Sequence, residues 1–344
     1  MKNFLLSILL VVATVQVFTS CDSRNQNSMM KNVTGKAGEL VVVISPSTWE
    51  GVAGEKIKEL LGQTQLGLPQ GEPVFDLINI PHEAFGDIFK TSRNLLIVQT
   101  GSSIEKNKIS FANNVYAHTQ AIVYLNAKNQ SDLLELIKKN SDKIAGYFLS
   151  AERDRLLLNY SHYNEKAVSN ATKETFGITI NVPPGFNVAE KKDSFMWIRY
   201  ETPSISQGIL IYTFPYTDEN TFTADYMVAK RNVELKHNVP GPTEGSYMTT
   251  ESKVPVLFNT FKKDGNFASE MRGLWKVEND YMGGPFISLS MLDMLNKRVV
   301  TLDAYIYAPG KDKRNFLRQV EAMIYSATFV NQKDIDKINA QFEE

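Results

Sequence analysis

The sequence predicts an α+β protein, with a small N-terminal α/β domain followed by an antiparallel-sheet α/β sandwich domain. Three observations carry this prediction. In the first half, short Val- and Ile-rich runs alternate with stretches of helical periodicity, the pattern of strands connected through helices. In the second half, strand-like runs follow one another with turn residues between them and few helices intervening. The character changes at "NEKAVSNATKET", residues 164–175. The expected organisation is a signal peptide over 1–20, a flexible tether over 21–36, a first domain over 37–168, a second over 169–330, and a tail over 331–344.

The elements follow in order. Leu40 to Ile44 is a continuous apolar run, consistent with a strand buried on both faces. After the loop "SPSTW", Ile57, Leu60 and Leu61 recur at helical spacing, and Gly62 is placed to stop that helix. "PVFDLINI", "RNLLIVQT" and "AIVYLNA" are strand candidates, with a short helix expected over Pro81–Phe89. Residues 131–162 read as one broken helix or two consecutive ones, with Ser131 and Ser141 as N-caps.

In the second half, "FGITINVPPGF" alternates Phe176, Ile178 and Ile180 before turning at Pro183-Pro184-Gly185. "SFMWIRYE" and "GILIYTFPY" are strands, and "TFTADYMVAKRNVELKHNV" is a helix with Phe222, Tyr226, Ala229 and Val233 along one face. Five strand-like segments then run from Gly241 to Pro309. Phe316, Val320, Met323 and Ile324 mark a closing amphipathic helix. Strands in succession with helices before and after predict an antiparallel sheet covered on one side or both.

The N-terminus reads as an address. Lys2 is followed by a mostly apolar run of 15 residues from Phe4 to Phe18. As a helix it would reach about 22 Å, against a hydrocarbon core of about 30 Å. That length suits a signal-peptide core better than a permanent span. Thr19 and Ser20 put small side chains before Cys21, the sole cysteine of 344 residues. Phe18-Thr19-Ser20-Cys21 resembles the lipobox of bacterial lipoproteins, departing from it at Phe18, where Leu is usual. The resemblance implies that Cys21 carries a thioether-linked diacylglycerol, becomes the mature N-terminus and anchors the chain in a lipid bilayer. An ordinary secretory signal with an incidental cysteine is the alternative.

With Cys21 acylated, no thiol remains for disulfides, zinc–thiolate sites or nucleophilic catalysis. Lysine and arginine number 37 against 38 Asp and Glu. Loss of residues 1–20, which carry only Lys2, leaves 36 against 38. This balance, without a basic block, argues against nucleic acid as a partner. The tether "DSRNQN" has no acidic run of the kind that directs some lipoproteins to the cell surface. Attachment to the outer or inner membrane, facing the periplasm, is therefore expected.

Catalytic signatures are sparse. The chain has four histidines, His82, His118, His162 and His237; "HEAFG" breaks the HExxH pattern at Gly86. It has no GxSxG elbow and no Walker or GxGxxG loop. Ser103 and Lys106 match Ser-x-x-Lys, but so do Ser28 and Lys31 inside the tether, which shows how cheap the pattern is. No cofactor or metal site is indicated.

Binding candidates are few. In an α/β domain, loops at the carboxyl ends of strands border the ligand crevice. There Ser45, Ser47 and Thr48 offer donors and Trp49 a stacking face, although Glu50 already complements the next helix N-terminus. The competing reading is that Ser47 or Thr48 caps the helix and Trp49 covers the core edge. Arg153 and Arg155, in "SAERDRLLLNY", are candidate anion anchors, or else members of a solvated ion-paired helix face. "YMGGPF", residues 281–286, reads as a binding loop or as a long hairpin turn.

The lipobox, "GELVVVIS" with Trp49 after it, and "FGITINVPPGF" together resemble an uncharacterised family of Bacteroidetes-type lipoproteins, to which no activity is assigned. The second half also resembles the PsbP-type α/β sandwich through "ITINVPPGF…WIRY…ILIYTFP", which implies a binding or assembly role. The expectation is a membrane-anchored, non-enzymatic envelope lipoprotein that binds an envelope protein or another envelope component. A periplasmic hydrolase with a dispersed site, and a small-molecule-binding lipoprotein using the Trp49 loop, are the other readings the sequence leaves open.

Overall fold

The computed structural model describes residues 30–341. The leader, Cys21 and most of the expected tether lie outside them. Part of the expected tether is folded. The Lys31 carbonyl accepts from His118 N, and Thr34 exchanges backbone hydrogen bonds with Thr91 and Arg93, so residues 31–36 are sewn to the first domain.

That domain is built on strands β1 (Glu39–Val43), β2 (Asp76–Ile80), β3 (Asn94–Thr100), β4 (Lys108–Asn113) and β5 (Ala121–Ala127). Their order across the sheet is β2-β1-β3-β5-β4, parallel except for the antiparallel edge β4. β1, β3 and β5 are the near-continuous aliphatic runs, as strands with both faces covered require. Helices α1 (Pro46–Trp49) and α2 (Val52–Leu61) follow β1, and the short α3 (Asp87–Lys90) precedes β3. Gly62 does stop α2, its N–H bonding to the Lys58 carbonyl.

Two consecutive helices, α4 (Gln130–Lys139) and α5 (Ser141–His162), close the domain. Neither expected serine caps them. Asn129 accepts from Asp132 N at 2.9 Å and caps α4, with Ser131 inside the helix. The Ser141 hydroxyl bonds back to the Ile137 and Lys138 carbonyls. The hydroxyl sits behind the helix end whose amides it would have to reach.

The second domain begins after a short link at Tyr163–Glu165. Helix α6 (Lys166–Phe176) already packs Val168 and Phe176 into the second core, so the expected boundary at 168 falls inside it. Gly177, at φ +68°, caps α6 in the left-handed region that glycine adopts without cost. "FGITINV" contributes little sheet: β6 (Ile178–Thr179) pairs only with β15 (Thr328–Phe329). Beyond it, Asn181 N bonds Ser326 Oγ and Val182 N bonds Asn164 Oδ1. Side chains there satisfy the amides that a ladder would otherwise use.

The main sheet comprises β7 (Asn187–Lys191), β8 (Phe195–Thr202), β9 (Ile205–Pro215), β10 (Tyr247–Thr250), β11 (Leu257–Lys263), β12 (Asn266–Glu278), β13 (Gly283–Asp293) and β14 (Arg298–Tyr307). It is antiparallel throughout, in the order β10-β12-β13-β14-β9-β8-β7, with β11 also paired to β12. Helix α7 (Ala224–Asn238) lies on one face. α8 (Arg314–Tyr325) and α6 cover the other. Cover on both sides explains why β13 and β14 are buried along nearly their whole length instead of alternating. Gly283, Gly284 and Pro285 belong to β13, so the hairpin turn is shorter than "YMGGPF" suggests and lies at 279–282. A Cβ on Gly284 would sit 2.1 Å from the Ile306 carbonyl oxygen, which makes glycine a packing requirement there. Residues 332–341, read as tail, form helix α9 (Gln332–Gln341) and bury Ile335.

The two domains are joined by a helix end. α8 has no capping side chain of its own; Glu72 of the first domain accepts from Lys313 N at 2.7 Å and Arg314 N at 2.8 Å. Arg314 reaches back to Asp76 at 2.7 Å, and Arg318 to the Val74 carbonyl at 2.6 Å. Among the described residues, no helix is long and apolar enough to cross a membrane.

Candidate functional site

A cleft of about 610 Å³ opens on the α7 side of the second sheet. Its walls come from the β8–β9 hairpin, the α7–β10 connection at Val239–Pro242, and the ends of β12 and β14. Alternation along β8 puts Trp197, Arg199 and Glu201 on one face. Trp275 and Val277 of β12, with Tyr305 and Tyr307 of β14, form the floor, and Met248 and Met282 fill its side.

The aromatic groups hold one another. Trp197 Nε1 donates to Tyr305 Oη at 3.1 Å, and Trp275 Nε1 to the Ile306 carbonyl at 3.2 Å. Trp275 meets Tyr305 edge to face, with centroids 5.6 Å apart. The Arg199 guanidinium lies 4.6 Å from the Trp197 ring centre and 3.3 Å from Glu201. Burial pushes the Tyr305 phenol up, against bonds from Ser206 and Trp197, so it stays a neutral hydrogen-bonding group. Fixed indole and phenol faces, adaptable thioethers and a charged rim suit a ligand with a flat or extended apolar body.

The residues singled out from sequence do not converge. Cys21 lies outside the described residues. Ser45 caps α1, accepting from Thr48 N at 3.3 Å and contacting Thr48 Oγ1 at 2.7 Å. Thr48 also accepts from Gln130 at 2.6 Å, and the Ser47 hydroxyl lies 3.4 Å from that of Ser45. Trp49 is buried in the first core with the Lys58 ammonium over its ring. The hydroxyls and indole of this loop are thus engaged in capping and packing.

Arg155 is likewise engaged. It bonds Glu152 and Asn94 at 2.7 Å each and the Thr119 carbonyl at 2.7 Å. Glu152 is buried and also pairs with Arg93 at 2.9 Å. Burial works against the Glu152 charge, but Arg155 and then Arg93 hold its carboxyl below the ordinary value. Arg153, on the other side of α5, faces a polar cavity at the domain junction.

Ser103 and Lys106 lie in a loop, where spacing of three residues does not stack side chains as a helix turn would. His82, His162 and His237 bond backbone carbonyls at 2.9, 2.8 and 2.7 Å. Among the described residues, no three His, Cys, Asp or Glu side chains come together as a metal-binding group. Sequence reasoning missed Trp197, Tyr305 and Tyr307, whose signal was present as W-x-R-x-E and Y-x-Y patterns on single strand faces, and Trp275, which neither pattern marks.

Comparison with known proteins follows the two-domain division. Residues 33–161 match the model described as Domain of unknown function (DUF8532), and residues 165–326 that described as Domain of unknown function (DUF4837). No curated protein matches the chain. Among solved structures it is similar to the Saccharomyces cerevisiae Ran-binding protein Mog1p, at 11% identity and a TM-score of 0.32, over 46% of this chain and 92% of that one. It is also similar to the human StarD13 lipid transfer and protein localization domain, at 12% identity and a TM-score of 0.20, over 48% of this chain and 94% of that one. Likenesses this weak support no inference. The chain's two parts thus match, in series, two domains of unknown function.

Proposed function

We propose that this chain is a lipid-anchored, non-enzymatic binding protein of the bacterial cell envelope, of Bacteroidetes type, facing the periplasm. Its second domain, a PsbP-like sandwich in this reading, takes a ligand with a flat apolar body in the aromatic cleft. The observation that carries the binding role is the cleft itself: about 610 Å³, floored by Trp275, Tyr305 and Tyr307 and walled by Trp197. The anchor rests on the order of Lys2, the apolar run, Thr19-Ser20 and Cys21.

Two experiments test the two parts. Replacing Cys21 with Ala should abolish fatty-acid labelling and release the protein from membranes; unchanged labelling and fractionation would sink the anchor. For the cleft, fractionated envelope extract is titrated against the full chain and tryptophan emission is followed. A fraction that shifts emission of the native chain, but not of a folded Trp197→Ala variant, supports the site. Equal responses from both proteins, or none from the native chain, count against it.

A further inference from the structure

The first sheet is covered unequally. α2, α4 and α5 pack on one face. The other face, with Val41, Val43, Leu95, Ile97 and Ile122, is roofed by residues 81–90 through Phe85 and Phe89. That roof turns apolar surface outward. Ile88 on α3 is 82% exposed, the most exposed large aliphatic side chain among the described residues. Val115 and Tyr116, in the β4–β5 loop, are exposed as well, and the Tyr116 ring meets Phe85 edge to face with centroids 6.0 Å apart. One buried glutamine holds the two segments together. Gln120 donates to the Lys90 and Ser92 carbonyls at 2.6 and 2.8 Å and accepts from Tyr116 N at 3.0 Å. The outward side chains thus share one platform.

The chain from Cys21 arrives at this same platform. The Lys31 carbonyl accepts from His118 N at 2.8 Å, in the loop that carries Val115 and Tyr116. Thr34 N donates to the Thr91 carbonyl at 2.8 Å, and Thr91 directly follows α3. Met30 lies nine residues beyond Cys21. Fully extended, such a segment spans at most about 32 Å. On the reading of Cys21 as acylated, on which this inference rests, the bilayer surface lies within that reach. Charge around the platform is mixed: Lys31, Lys36 and Glu83 are exposed, and Asp87 pairs with Lys90 at 3.1 Å. Attraction to a bilayer must therefore come from apolar insertion and not from lipid charge.

We propose that this platform faces the membrane, with Ile88, Val115 and Tyr116 entering the bilayer interface and fixing how the first domain sits on it. A patch of three side chains is too small to hold a free protein on a bilayer. Tethered through Cys21, the same contact becomes intramolecular, and a weak one suffices.

Because acylation consumes the only thiol, a single introduced cysteine can be labelled alone. A nitroxide is placed through Ile88→Cys or Val115→Cys, with Val233→Cys on α7 as control; all three side chains are exposed. The full acylated chain is reconstituted into phosphatidylcholine vesicles. Labels at 88 and 115 should lie about 5–10 Å into the boundary between headgroups and acyl chains. They should gain collisions with oxygen and lose them with a nickel chelate, equally so when phosphatidylglycerol replaces part of the phosphatidylcholine. The label at 233 should stay in water, and adding Ile88→Asp should return the label at 115 to water. A label at 88 as accessible to the chelate as that at 233, or burial seen only with anionic lipid, would overturn the assignment. So would dipolar broadening between labels on neighbouring chains, which would give the face to a second copy. Uptake of nitroxide by the native chain is a separate failure: it shows a free Cys21 thiol and refutes the anchor together with the inference built on it.

Discussion

Gly208 is where the aromatic cleft is most open to test by a single methyl group. It pairs with Tyr305 across the β9–β14 ladder, and the tyrosine ring lies over it. A Cβ at this position would meet Tyr305 Cε1 at 2.2 Å, Cζ at 2.4 Å and Oη at 2.6 Å, whereas ordinary contact begins at 3.4 Å. The ring cannot simply swing away. It is 3% exposed, packed edge to face against Trp275, and fixed through its hydroxyl to Trp197. Gly208→Ala should therefore force a shift of about 1 Å, an overpacking cost of about 1–3 kcal/mol. Loss of the Trp197–Tyr305 hydrogen bond adds about 0.5–1.5 kcal/mol. The expected destabilisation of the second domain is about 2–4 kcal/mol. Urea unfolding followed by tryptophan emission measures it, and near-UV circular dichroism reports the aromatic packing. Adding Tyr305→Ala to Gly208→Ala should cost less than the two changes summed, since the clash is then gone. A loss under about 0.5 kcal/mol with an unchanged near-UV spectrum would refute the view that Gly208 seats the ring.

Three further outcomes follow from other parts of the fold. Arg231 and Asp303 form a fully buried pair at 2.6 Å, with the guanidinium 3.7 Å from the Phe286 ring centre; Asp303→Ala strands the arginine and should cost about 3–5 kcal/mol by urea midpoint, much of it recovered when Arg231→Met is added. Glu72→Ala removes the acceptor of two amides at the start of α8 and should cost about 1–2 kcal/mol, seen as faster hydrogen exchange at Lys313 and Arg314. Burial works against the charge of Glu321, but Arg272 and then Arg153 and Arg318 hold its carboxyl below the ordinary value. A lowered folded pKa means stability that is full above about pH 4.3 and lost as pH falls further; Glu321→Gln should accordingly flatten the acid limb of the stability profile.

Much of the fold was legible from local pattern. Val41, Val42 and Val43 declare a doubly covered strand without help from any distant residue, and the 3.6-residue recurrence of Val320, Met323 and Ile324 declares the face of α8. "FGITINVPPGF" misled because alternation also describes an extended segment whose amides are taken by side chains, here Ser326 and Asn164. "SPSTWEG" held the same ambiguity between cap and ligand loop. The deciding atom was Gln130 Nε2, 82 residues away.

Sequence alone determined the two-part α+β division, because hydrophobic periodicity is a property of neighbouring residues. It also displayed the run ending at Cys21, which is a linear signal. Tertiary structure decided the rest. Trp197, Trp275 and Tyr305 meet only because strands β8, β12 and β14 bring their ends together, and Arg153 and Arg318 line one cavity only because α5 packs on α8. Arg153 and Arg155 look alike in the chain, yet a helix turns 100° per residue. Two positions apart, one is spent on Glu152 while the other opens on the domain junction.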